Sequence, residues 1–350
     1  MPEQTIPEQI AIGQIETQST VDDDPLLTGV ELSKSIRIYP LGFPLELATN
    51  SDDVIEASLE SWSLFTPTFD EPPIRISLGV AGSGKTRPPA MPAFRSRGHL
   101  MSIVSDSANS VVCDLSRGFA FGWVTAATAA DRGFLRYHFL DAAILAMTEQ
   151  LYLAPIHGAL ITQNGRGVVL CGESFAGKST LAYACARSGW TFVADDGTAL
   201  VRNAPGCYGI GNPHVIRFRE SSRRFFPELA NRIPAPRANG KIGIEVFTRE
   251  LPISVANGCS IDHVVFLDRR QSGPALLERY SEEKAVEWCS RRAMYGVPQV
   301  RAAQTRTYQR LLGASVWEMR YSGLHSAVAC LEQLTRCEKS SRRRAECEAS

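Results

Sequence analysis

The sequence predicts an α/β domain preceded by a smaller α+β domain, and three observations predict it. Gly167-Val168-Val169-Leu170-Cys171 is an unbroken apolar run, as a strand buried on both faces reads. A glycine-bearing segment follows it, and then Ser179 to Gly189, which is alanine-rich, free of proline and closed by a glycine suited to a helix C-terminus. Upstream, by contrast, Ile74, Ile76 and Leu78 alternate with other residues, the pattern of a half-exposed strand.

Composition sets the outer limits. A chain of 350 residues has room for one large or two medium domains. Lys plus Arg and Asp plus Glu both number 37, so the net charge of zero argues against a nucleic-acid partner held by bulk electrostatics. The apolar fraction of 44% suffices for a full core, while the longest apolar stretches are far too short for a membrane span. No charged-then-apolar signal segment opens the sequence, and nine cysteines stand without C-x-x-C spacing. Together these predict a cytoplasmic protein with reduced thiols and neither a membrane nor a nucleic-acid partner.

Taken in order, residues 1–34 are polar, carry Asp22-Asp23-Asp24 and lack a sustained period, which predicts a disordered tail. Residues 35–150 read as the small α+β domain. Ser35 to Tyr39 alternates like a strand, Ser51-Asp52-Asp53 can cap a helix running towards Trp62, and further strands are expected near 74–78, 99–105, 110–114 and 118–125. Phe139, Leu140, Ala143, Ile144, Met147 and Leu151 then recur at helical spacing. His99 and His138 have no partners at ligand spacing and are expected to pack or face solvent.

Residues 151–336 form the second predicted domain. Asn164-Gly165 between two apolar runs is a hairpin signal, so a strand beginning at His157 should run antiparallel to the one ending at Cys171. Gly172-Glu173-Ser174-Phe175-Ala176-Gly177-Lys178-Ser179 fits the phosphate-binding pattern G-x-x-x-x-G-K-[S/T] in its required strand–turn–helix setting. There, backbone N–H groups wrap phosphates, Lys178 neutralises their oxygens and Ser179 can ligate magnesium. Gly79 to Thr86, with Lys85, fits the same pattern. Pro88, Pro89 and Pro92 follow it and forbid the helix, so this second match is predicted to be a loop without nucleotide.

Trp190 to Ala194 is a β-rich run ending in Asp195-Asp196-Gly197. Carboxylates at a strand end beside phosphates can hold magnesium and accept a proton from an attacking hydroxyl; Asp-Asp-Gly is also good turn chemistry. Further strands are expected near 215–219, 241–245, 261–267 and 316–321, with helices over 281–295, 299–312 and up to about Leu334. Arg217, Arg219 and Lys241 are candidates to neutralise a transferred phosphate. The segment 337–350 is of mixed charge and should fray.

His157-Gly158, the hairpin, Gly172 to Ser179 and Val193-Ala194-Asp195-Asp196 resemble the catalytic domain of the HPr kinase/phosphorylase family. The likeness covers residues 155–200 and, in fainter outline, continues to about residue 335. It implies a P-loop kinase domain of the HPr kinase and phosphoenolpyruvate carboxykinase-like type, with ATP and Mg2+ as cofactors. It implies that His157, Asp195 and Asp196 are catalytic and that Gly172, Glu173, Ser174, Phe175, Ala176, Gly177, Lys178, Ser179 and Thr180 surround the nucleotide. Ser179 and Asp196 are the implied metal ligands, while the division of base and metal roles between the two aspartates stays open. The chain departs from the family pattern at Phe175, at Thr180 and in lacking a downstream glycine-rich signature. Downstream, Val215 to Arg219, Phe226-Pro227-Glu228-Leu229 and Lys241 to Glu245 look more like the HPr-kinase-related kinases of peptide-modification systems. The expected activity is transfer of the γ-phosphate to a serine or other hydroxyl of a protein or peptide, by a chain that can be a homo-oligomer. The alternative is a nucleotide-binding regulator without transfer.

Overall fold

The computed structural model describes residues 31–82, 90–236, 240–291, 297–311 and 313–336. Most of the predicted N-terminal tail, the C-terminal tail and residues 83–89, including Lys85, lie outside the described residues. The chain is a mixed α/β protein in which parallel and antiparallel strands share sheets.

The first sheet is built from β1 (Lys34–Ile38), β2 (Leu45–Thr49), β3 (Ile74–Ala81), β4 (Ala93–Arg97), β5 (Leu100–Asp106), β6 (Asn109–Asp114) and β7 (Phe119–Thr125). Their order is β1-β2-β3-β7-β6-β5-β4, with β2, β3 and β7 mutually parallel. Alternation in β3 places Ile74, Ile76 and Leu78 in the core and Arg75 in solvent. Helix α1 (Asp52–Trp62) starts where predicted, although Ser51 makes no capping bond; Asp52 and Asp53 in its first turn complement the helix dipole instead. The short α2 (Ala126–Ala130) and α3 (Arg132–Leu135) lead to α4 (Asp141–Tyr152). Val54, Ala57 and Trp62 of α1 and Ala143, Ile144 and Met147 of α4 pack with that sheet in one cluster. The same cluster continues onto Leu153, Ala199, Val201 and Ile210, so it runs past the end of α4.

After α4 come β8 (Leu153–Gln163), β9 (Arg166–Cys171), α5 (Lys178–Arg187), β10 (Thr191–Ala194), β11 (Gly197–Val201) and β12 (Tyr208–Ile210). A small sheet follows from β13 (Val215–Phe218), β14 (Ala235–Pro236) and β15 (Ile242–Phe247), then β16 (Ser254–Val255), β17 (Gly258–Arg269) and β18 (Leu276–Arg279). The chain ends in α6 (Glu282–Ser290), α7 (Pro298–Leu311), β19 (Ser315–Tyr321) and α8 (Leu324–Arg336). The predicted hairpin is present. Asn164 and Gly165 have φ of 55° and 76°, the two positive values a type I′ turn requires, and Gln163 faces Arg166 across it.

β9, β17 and β19 run parallel, and their alternating side chains separate two cores. Val168, Leu170, Val265 and Met319 pack under α5 and α8; Val169, Cys171, Val264 and Val316 pack under α6 and α7. This is why the run before the glycine loop is apolar at every position. The strands β8, β11, β12, β17 and β9 pair round in a closed circuit, which ties the loop's strand to its neighbours on both sides. Helix α5 ends as its sequence predicts, with Gly189 at φ 94° and Ser188 and Trp190 N–H groups returning to Ala184 and Cys185 carbonyls.

The sequence reading placed the start of β8 at His157; the strand begins at Leu153. Its first half pairs on one side only, with β11, so Pro155 is accommodated without a missing ladder bond. Cys171 and Cys185 are fully buried, and burial raises both thiols. A bulky thiol reagent should therefore label neither in the native protein while labelling both after denaturation. Peptide mass mapping reads this out, and rapid native labelling of either would contradict the packing.

Candidate functional site

The loop between β9 and α5 is shaped by two glycines. Gly172 and Gly177 have φ of 145° and 94°. A β-carbon on Gly177 would sit 2.3 Å from the Tyr321 hydroxyl, which donates to the Ala176 carbonyl at 2.7 Å. One on Gly172 would lie 3.0 Å from Ala176 Cβ and 3.2 Å from the Leu267 carbonyl. Only glycine lets the backbone pass this close to β17 and β19. Phe175 also has positive φ, 74°, although it bears a side chain. Such a conformation costs roughly 1–2 kcal/mol for an L-residue. Its ring recovers little by burial, being 72% exposed.

Lys178 opens α5 and folds back over the loop, donating to the carbonyls of Gly172 at 2.8 Å and Glu173 at 3.3 Å. Its burial lowers the ammonium pKa, against the attraction of the Asp196 carboxylate and, more weakly, that of Asp195. Those acids reach the lysine through a bulge. β10 and β11 both pair antiparallel with β8; Ala194 faces Leu160 and Gly197 faces Gly158, so the two residues Asp195 and Asp196 span the place of the single residue Ala159 on β8. The Asp-Asp-Gly segment is thus a bulge within a continued strand line rather than a turn that ends it. Thr198 secures it by donating to the Gly158 carbonyl at 2.8 Å.

The two acids have different surroundings. Asp195 is buried, and its Oδ2 accepts from the Arg217 backbone N–H at 2.9 Å. Its Oδ1 is buried without a well-formed hydrogen bond. Burial pushes the Asp195 carboxyl up to about 6; the Ser179 hydroxyl and the Arg217 N–H pull it down, and the Asp196 charge adds to the rise. Asp196 is more than half exposed, with Oδ1 2.7 Å from His157 Nδ1, out of line for a straight hydrogen bond. The His157 ring stacks near Trp288 of α6 at 6.2 Å between centroids.

Lys178, Ser179, Asp195, Asp196 and His157 are therefore brought together. Other predicted loop residues make contacts of their own. Glu173 is exposed, with Arg291 3.7 Å away; Ser174 Oγ accepts from Arg219 at 3.1 Å; Thr180 Oγ1 lies 3.2 Å from Ser222 Oγ. Lys241 lies one residue before β15. Sequence reasoning missed Tyr321, the Arg217 N–H and Trp288. Tyr321 is 145 residues from its loop partner, and no local pattern connects them. Among the described residues no group of three or more His, Cys, Asp or Glu is placed to hold a metal ion. The Asp195 carboxylate beside the Ser179 hydroxyl does offer oxygens of the kind magnesium takes alongside water and phosphate.

The fold and site thus define a mixed α/β protein with a strand, a glycine loop and a helix facing paired aspartates. No family model matches the chain, and no curated protein matches it. Among solved structures, the HPr(Ser) kinase/phosphatase from Coxiella burnetii is similar to it at 15% identity. That likeness covers 55% of this chain and 98% of the other, with a TM-score of 0.28. Among the described residues no helix is long and apolar enough to cross a membrane.

Proposed function

We propose that this protein binds ATP with magnesium and transfers the γ-phosphate to a hydroxyl of a protein or peptide, as a kinase of the HPr-kinase-related type. The observation that carries the reading is the convergence of Lys178 and Ser179 at the first turn of α5 with a buried acid and an exposed acid–histidine pair. A binding loop alone needs only the lysine and the backbone; a transferase needs a proton acceptor beside it.

On nucleotide entry Lys178 exchanges the Gly172 and Glu173 carbonyls for phosphate oxygens, and the loop N–H groups take the rest. Ser179 and Asp195 would hold magnesium, which when bound neutralises charge on the β- and γ-oxygens. This pairing favours Asp195 over Asp196 for the metal side, because Asp195 is the acid beside Ser179. Asp196 faces outward, where an acceptor hydroxyl arrives. As the hydroxyl oxygen forms its bond to the γ-phosphorus, the bond to ADP breaks and the hydroxyl proton passes to the Asp196 carboxylate. His157 beside it keeps that carboxylate oriented.

The test is incubation of the protein with γ-labelled ATP and magnesium in lysate, followed by identification of any acid-stable phosphate ester. Transfer that is lost in Lys178→Ala supports the reading. Tight ATP binding with no labelled acceptor would instead favour the regulator without transfer.

A further inference from the structure

The phosphate-type loop carries a large exposed aromatic at a backbone position that favours glycine. Phe175 has one evident use: the Arg219 guanidinium lies over its ring at 3.6 Å from the centroid. Arg219 also donates to Ser174 Oγ of the same loop. Two successive loop residues therefore grip one guanidinium, from the ring face and from a hydroxyl. The strand that delivers it is fastened twice to the site. Its Arg217 N–H binds Asp195, and Ser222 just beyond contacts Thr180 of α5. Arg217 itself is engaged elsewhere, its guanidinium 2.8 Å from Glu245 on the neighbouring strand.

We infer that Arg219 is a phosphate-contacting residue that distinguishes a nucleoside triphosphate from a diphosphate, and that Phe175 is its positioning residue. The inference rests on the nucleotide reading above and deepens it. A guanidinium has five N–H donors, and the one given to Ser174 leaves others for oxygens of the terminal phosphate held by the same loop. Stacking on an aromatic face restricts the guanidinium without consuming its donors. The strain stored at Phe175 is then the counterpart of holding a cation over the loop mouth before the nucleotide arrives.

The probes are Mg·AMPPNP and Mg·ADP, titrated calorimetrically against the full chain. In Arg219→Met the affinity for Mg·AMPPNP should fall about tenfold or more, the scale of a lost hydrogen bond to a charged group, with Mg·ADP affinity within about twofold of the parent. Phe175→Gly, which keeps the arginine and relieves the left-handed strain, should lower the triphosphate-to-diphosphate preference by about threefold without lowering the melting temperature. If both ligands weaken by one common factor, Arg219 only braces the loop and the inference falls. An unchanged preference in both variants overturns it equally. A parent that binds neither ligand removes the nucleotide reading and this inference with it. A parent that binds both, with variants of unchanged preference, removes this inference alone.

Discussion

Lys178→Ala is expected to bring Mg·ATP affinity below calorimetric detection, while Lys85→Ala leaves it within about twofold. The first loss is large because Lys178 has two tasks. Its amine closes the loop on the Gly172 and Glu173 carbonyls, and it is the cation set against Asp196 and Asp195. Without it a polyanionic ligand would meet two uncompensated carboxylates at close range. Removing one partner of a buried charged pair costs about 2–5 kcal/mol, which is roughly 30- to several-thousand-fold in affinity. Lys85 belongs to the second pattern match. Gly79, Val80 and Ala81 of that match are paired residues of β3, facing Trp123, Val124 and Thr125 of β7. The next described element is strand β4, so no helix N-terminus is among the described residues to complete a cradle. Equal loss of affinity in the two variants would refute the distinction.

What the sequence made legible follows from the range of the interactions concerned. β9, the turn at Asn164-Gly165 and α5 are each set by residues adjacent in the chain, so periodicity, turn chemistry and a C-terminal glycine sufficed to place them. The bulge at Asp195-Asp196 was ambiguous because its local signal is that of a turn. Only the pairing of β10 and β11 with the one strand β8 resolves it. The start of β8 was misplaced because its first residues take their hydrogen bonds from β11, more than forty residues on, a partner no local window contains. The same limit hid Tyr321, whose hydroxyl fills the space a side chain on Gly177 would need. Phe175 was visible as a departure from a family pattern, but its contact with Arg219 was not, since the two meet only through the placement of β13 beside the loop.

Asp196→Asn should lower phosphate transfer by about 10²–10⁴-fold, the usual contribution of a general base, while keeping measurable ATP affinity. Asp195→Asn should also impair transfer, but it should differ in one further respect: the variant should be more stable than the parent at alkaline pH. The folded protein holds the Asp195 carboxyl at about 6, chiefly through burial, against about 3.9 in an unfolded chain. A pKa raised on folding means that the folded state binds the proton more tightly. The protonated acid therefore favours folding fully below pH ~4, and that contribution is lost as pH rises through about 6. At pH 8 the buried carboxylate opposes folding by roughly 2–3 kcal/mol. Asparagine can still accept the Arg217 N–H and carries no charge, so it escapes this opposition. Denaturant midpoints measured without nucleotide should show the variant ahead of the parent at pH 8 and the two converging near pH 4. Saturating Mg·ATP should reverse the order at pH 8, because the parent alone gains from a ligand that uses Asp195. A variant that is less stable than the parent at pH 8 would mean that Asp195 supports the fold rather than a bound cation. Transfer at the parental rate in both aspartate variants would remove the acids from the mechanism.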